Sequence, residues 1–207
     1  MAAAATLFAP GASGASGTPA DVETLVFVRH GEKPPKGLGQ LDCQGLNRAL
    51  ALPAVIAAKY GKPDAIYAPD PGEKKKDHGH AFNYVRPLAT VEPTAIQFGL
   101  PVQTPYGVSQ GAALVRTLVG PEWRGRTALI GWEHHDIEQL VRKIVAAHGG
   151  NAANVPTWPD NDFDSIYVVR IDWSADKPHA TFSHEQEGLD GRSTDCPCAA
   201  LPAQPPR

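Results

Sequence analysis

Excess charge of one sign, cysteine and long apolar runs are all scarce in this 207-residue chain, and each scarcity removes a class of protein. Lys and Arg number 19 against 22 Asp and Glu, a formal net charge of -3. No broad basic field therefore exists to hold nucleic acid or an anionic membrane surface, and any anion binding has to be local. Three cysteines are too few for a disulfide scaffold, and Cys196-Pro-Cys198 lacks the two-residue gap that suits zinc. Two states stay open for them. In an oxidising compartment one tail cysteine pairs with Cys43 and leaves one thiol over; in a reducing one all three remain thiols. No run approaches the roughly 20 apolar residues of a membrane-spanning helix. What is present, 42% hydrophobic and 20% charged residues, suits a single globular domain with its own core.

The first twenty residues, MAAAATLFAPGASGASGTPA, are small and weakly apolar, carry no cation and end in Ala, Ser and Gly repeats of the kind signal peptidase accepts. A full export signal also has a basic start and a longer apolar stretch. The segment 1–20 thus reads either as the remnant of a leader, for a periplasmic or secreted protein, or as a disordered tail on a cytoplasmic one. The folded domain is expected over 21–190. Residues 191–207, rich in Pro and Ala, form a tail that is loosely held unless a cysteine ties it down.

Leu25-Val26-Phe27-Val28 is a short, continuous apolar run, as in a strand covered on both faces, and it ends on Arg29-His30-Gly31. Leu46 to Tyr60 has helical spacing, a predicted bend at Pro53 and a stop at Gly61. A short strand at Ala65–Ala68 follows. Pro69 to Asn83, with Lys74-Lys75-Lys76, His78 and His80, reads as an exposed loop or insertion. Helices are predicted from Pro87 to Gly99 and from Ser109 to Leu118. Thr127–Trp132 is another buried strand, running through Glu133-His134-His135-Asp136 into an amphipathic helix that stops after His148. Phe163–Asp172 and Ala180–Gln186 form a closing antiparallel pair. Strands alternating with helices predict an α/β fold: a single three-layer domain whose mainly parallel central sheet is flanked by helices, with active groups beyond the strand C-terminal ends.

On that plan Arg29 and His30 leave one strand end and His134 another, so an arginine and two histidines converge. Arg-His-Gly alone is a short signal, equally open to a polar turn. The order of the remaining pieces adds to it: Arg86 with Thr90 one turn later at a helix start, then a second strand ending in His134 with Ile137 beyond. From Glu23 to Gln186 the chain resembles the histidine phosphatase superfamily, the phosphoglycerate-mutase-like proteins. The resemblance implies that His30 is the nucleophile, that Arg29 and Arg86 bind phosphate, and that His134 is the second pocket histidine. It implies a phosphohistidine intermediate, a small phosphorylated substrate, and no metal or other cofactor.

Elementary chemistry suits these roles. An imidazole with an ordinary pKa of about 6.5 is largely neutral near pH 7 and can attack phosphorus directly. Planar guanidinium groups offer fixed paired donors to the equatorial oxygens. The family's proton donor is an acidic residue taken from different places in different branches, so Asp136, Glu133 and Glu32 all compete. Asp136 is preferred because His135-Asp136 resembles the His-Asp pair of the acid phosphatase and phytase branch, although that pairing brings His135 to the phosphate in place of His134. The spacing His134-x-x-Ile137 favours His134. Tyr106 to Leu114 lacks the glutamate usual in mutases, which ranks hydrolysis above phosphotransfer between hydroxyls; a non-catalytic phosphate-binding module comes third.

Several residues carry a functional and a plain reading together. The lysines 74–76 with His78 and His80 either grip a second anionic group or are a solvated loop; His78-Gly79-His80 has no third ligand in view for a metal. Lys33 reaches either the phosphate or solvent. Tyr84 and Trp132 either line a substrate wall or pack, and Gly45 and Asn47 read as turn and cap chemistry.

Overall fold

A computed structural model describes residues 21–198, and the expectations for 1–20 and for the last residues of the tail lie outside them. β1 (Val22–Arg29) alternates its side chains between two cores: Leu25 and Phe27 on one face, Val26 and Val28 on the other. It is the fourth strand of a six-stranded sheet ordered β5-β2-β6-β1-β7-β8. β2 (Ala65–Tyr67), β5 (Val102–Gln103), β6 (Thr127–Trp132) and β1 run parallel, whereas β7 (Ser165–Asp172) and β8 (His179–Gln186) add an antiparallel edge.

Helix α1 (Cys43–Tyr60) is capped by the Asp42 side chain, which accepts from the Gly45 N–H at 2.8 Å, and it continues through Pro53 to Gly61. With α2 (Arg86–Phe98) it covers one sheet face, where Leu52, Ile56, Val91 and Ala95 meet Val26, Val28, Ile66 and Leu129. α3 (Gly111–Leu118) and α4 (His134–Ala147) cover the other through Leu114, Leu118, Ile137, Val141 and Ile144. The architecture is the three-layer α/β domain that the alternation predicts. No helix among the described residues is long and apolar enough to cross a membrane.

Two expectations are sharpened. Pro69–Asn83, expected as an exposed loop or insertion, contains a hairpin of β3 (Lys74–Asp77) and β4 (His80–Asn83). Polar sequence hid the strands, because only one of their faces is covered. Gly45 does more than start a helix. A Cβ there would collide with the backbone oxygen and nitrogen of Glu32, so α1 approaches the loop after β1 more closely than any side chain permits.

The tail is tied down. Cys43 and Cys196 form a disulfide, Cys198 is left exposed and free, and Asn47 Nδ2 donates to the carbonyls of Ser193 and Asp195 at 2.9 and 2.7 Å.

Candidate active site

Parallel pairing of β1 with β6 matches Arg29 to Trp132, and the His30 N–H donates to the Trp132 carbonyl at 3.2 Å. Register alone therefore sets His30 beside Glu133 and His134. The His30 ring is buried, and its Nδ1 lies 2.8 Å from the Gly31 carbonyl, which can only accept. That bond places the proton on Nδ1 and leaves Nε2 with a free lone pair. Burial, then the charges of Arg86 and Arg29, push the imidazole well below its ordinary 6.5, against the opposing pull of the Gly31 bond and the Glu133 charge. It is neutral at pH 7.

Each arginine is held by one edge. Arg29 NH1 donates to the carbonyls of Asp160 at 2.8 Å and Asp162 at 2.6 Å, and its Cζ lies 3.9 Å over the Phe163 ring. Arg86 opens α2; its NH1 donates to Asp77 Oδ2 at 2.6 Å, and its Cζ lies 4.8 Å over the Tyr84 ring. Thr90 Oγ1 accepts from the Gly31 N–H at 3.0 Å and donates to the Arg86 carbonyl at 2.9 Å, which locks the first turn of α2 to the turn after β1. Among the described residues, Arg29 Nε, Arg86 Nε and the Tyr84 hydroxyl are buried without a hydrogen-bond partner.

His134 is buried as the first residue of α4, with Nε2 2.9 Å from Asp160 Oδ1. Its Nδ1 is 2.9 Å from Glu133 Oε1, yet the alignment is too poor for a hydrogen bond. The exposed His135 ring stacks on His134 with centroids 3.9 Å apart.

The three candidate acids separate. Glu32 gives both oxygens to Arg48, at 3.0 Å to Nε and 2.8 Å to NH2, and is committed there. Glu133 caps α4, accepting from the Asp136 N–H at 3.0 Å. Burial raises its carboxyl, but His134, Lys75 and the Asp136 N–H together outweigh that and hold it far below the usual carboxylate range. An acid so firmly ionised has no proton to give. Asp136 is half-buried, and burial with the neighbouring Glu133 charge raises it, against the pull of Lys75, His135 and His134.

Asp77, Asp160 and Arg48 escaped the sequence reading. Asp77 sits in a lysine-rich stretch whose only signal is a two-residue period; Asp160 lies in an irregular loop with none. Arg48 is fully buried and binds Glu32, Asp164, Glu187 and Asp190, tying the loop after β1, the start of β7 and the tail together.

Neither a protein-family model nor a curated protein matches the sequence. Solved structures do, and they show that the fold is phosphoglycerate-mutase-like. Mycobacterial glucosyl-3-phosphoglycerate phosphatase is similar at TM-score 0.52 and 16% identity, over 78% of this chain and 97% of its own. A protein from Nakamurella multipartitia assigned as phosphohistidine phosphatase SixA gives 0.53 and 15%, over 80% and 98%. Plasmodium falciparum phosphoglycerate mutase gives 0.52 and 12%, over 88% and 99%.

Proposed function

We propose that this protein hydrolyses phosphate monoesters through a phosphohistidine on His30. The observation that carries the reading is the set of buried, unpartnered donors, Arg29 Nε, Arg86 Nε and the Tyr84 hydroxyl, beside a buried neutral imidazole. An unmet buried donor costs about 1–3 kcal/mol, and a phosphoryl group satisfies several at once.

In the first step His30 Nε2 attacks phosphorus and forms the P–N bond as the P–O ester bond breaks. Asp136, whose carboxyl burial and the Glu133 charge raise above its ordinary value, gives a proton to the departing alkoxide. Arg29 and Arg86 offset charge on the equatorial oxygens, and His134 borders the same space. Water then attacks phosphorus, the P–N bond breaks, Asp136 takes the water proton, and phosphate leaves with His30 restored. The arginines supply the charge stabilisation, so the scheme calls on no metal. The mycobacterial phosphatase of the same fold has been solved with inorganic phosphate, which accords with a phosphorylated substrate here.

Brief reaction with a 32P-labelled ester and an alkaline quench should leave acid-labile, base-stable label on the chain. His30→Ala should remove both label and turnover. Undiminished turnover in that variant defeats the proposal, and label recovered in a second hydroxyl compound in place of free phosphate makes the protein a phosphotransferase.

A further inference from the structure

His135 and Asp160 stand at the rim of the site and take no part in the reaction above. Successive helix residues point about 100° apart, so neighbouring side chains do not ordinarily face each other. Yet the rings of His134 and His135, the first two residues of α4, stack with centroids 3.9 Å apart and 33° between their planes. Both turn Nε2 to one oxygen. Asp160 Oδ1 lies 2.9 Å from the first and 3.1 Å from the second, although the Asp160 side chain is 84% exposed and has water for a partner.

Protons alone leave this arrangement unbalanced. His134 has a carboxylate oxygen at each nitrogen, Asp160 Oδ1 at Nε2 and Glu133 Oε1 2.9 Å from Nδ1. A neutral imidazole carries one N–H and one lone pair, so one of those oxygens meets a lone pair. Charging both rings satisfies the oxygens but stacks one positive charge on another. A single metal ion shared by the two Nε2 atoms and Asp160 removes the conflict. The Nε2 lone pairs become ligands, and the remaining proton of His134 sits on Nδ1, facing Glu133, as in sites where a carboxylate fixes the tautomer of a metal-bound histidine. Ligand atoms about 2.0–2.2 Å from zinc stand roughly 3.0–3.5 Å from one another, so the spacings present need little widening. Glu133 adds negative charge close by, with an oxygen within 4.8 Å of a ring nitrogen of each histidine.

We infer that His134, His135 and Asp160 form a site for a divalent cation of the zinc class, which prefers imidazole and carboxylate together. The ion is no part of the ester chemistry. It clasps the loop 159–161 to the start of α4, beside the bonds that Arg29 NH1 makes to the carbonyls of Pro159 and Asp160.

Calorimetry of the full chain with zinc chloride, and separately with magnesium chloride, tests it. One zinc ion should bind per chain, and magnesium, which avoids imidazole, should not. His135→Ala and Asp160→Ala alter exposed side chains and so keep the fold; each should weaken zinc at least about tenfold. Cys198→Ser and His80→Ala remove an exposed thiol and an exposed imidazole elsewhere, and should leave zinc affinity within about twofold. No zinc binding, or zinc held by His135→Ala as tightly as by the unaltered chain, overturns the inference. Zinc lost in Cys198→Ser or His80→Ala instead places the metal at those residues and overturns it equally.

Discussion

His30 and Asp136 are pulled in opposite directions by the same physics, desolvation. Burial disfavours the charged form of each, so the imidazole loses its proton readily and the carboxyl keeps its own. In the proposed reaction His30 works deprotonated, above its folded pKa, and Asp136 works protonated, below its own. Activity measured as kcat/KM should therefore fall as pH rises and Asp136 ionises, at a higher pH than an ordinary aspartate would give. In Asp136→Asn that fall should vanish. The variant should slow alkyl phosphates by about 10²–10⁴ while sparing 4-nitrophenyl phosphate, whose leaving group needs no proton. Steady-state rates on the two ester types check this, and equal slowing of both places the proton donor elsewhere.

Elements that bury a continuous apolar face, β1 and β6 above all, were legible in the sequence, because hydrophobic runs report covered strands directly. Polar runs reported themselves poorly: Lys74–Asp77 is a strand whose inward positions are a lysine and an aspartate, and neither announces burial. Of the site, the residues attached to strand ends could be placed by register, since β1 and β6 lie side by side. Asp77 and Asp160 reach it from a hairpin and a loop, whose paths no periodicity encodes. The contact of α1 with the nucleophile loop was likewise hidden, being a matter of one missing Cβ. Gly45→Ala should force α1 away from Glu32 and cost about 1–3 kcal/mol, as overpacking does. Denaturant unfolding should show the loss, with a drop in turnover because the loop carries Gly31. Unchanged stability and rate in that variant would mean that the helix moves freely.

Across the whole molecule, the Cys43–Cys196 disulfide and the Arg48 network do one job from two sides, pinning the tail to α1 and to the loop after β1. The bridged cysteines lie 153 residues apart, and removing a native disulfide typically costs about 2–4 kcal/mol. Dithiothreitol or Cys196→Ser should lower the unfolding free energy by that amount, seen as a fall in the denaturant midpoint, whereas Cys198→Ser should leave the midpoint unmoved. If both serine variants behave alike, the two tail cysteines share Cys43 between them.

The place of β1 in the sheet also governs time. Both its neighbours, β6 and β7, come from far along the chain, so the strand that carries His30 stays unpaired until most of the sequence is available. Non-local pairing of this kind slows folding to roughly milliseconds to seconds or longer. Dilution from denaturant should therefore give activity that recovers late, with helical signal returning ahead of it, and the nascent chain carries an uncovered apolar strand until its partners arrive.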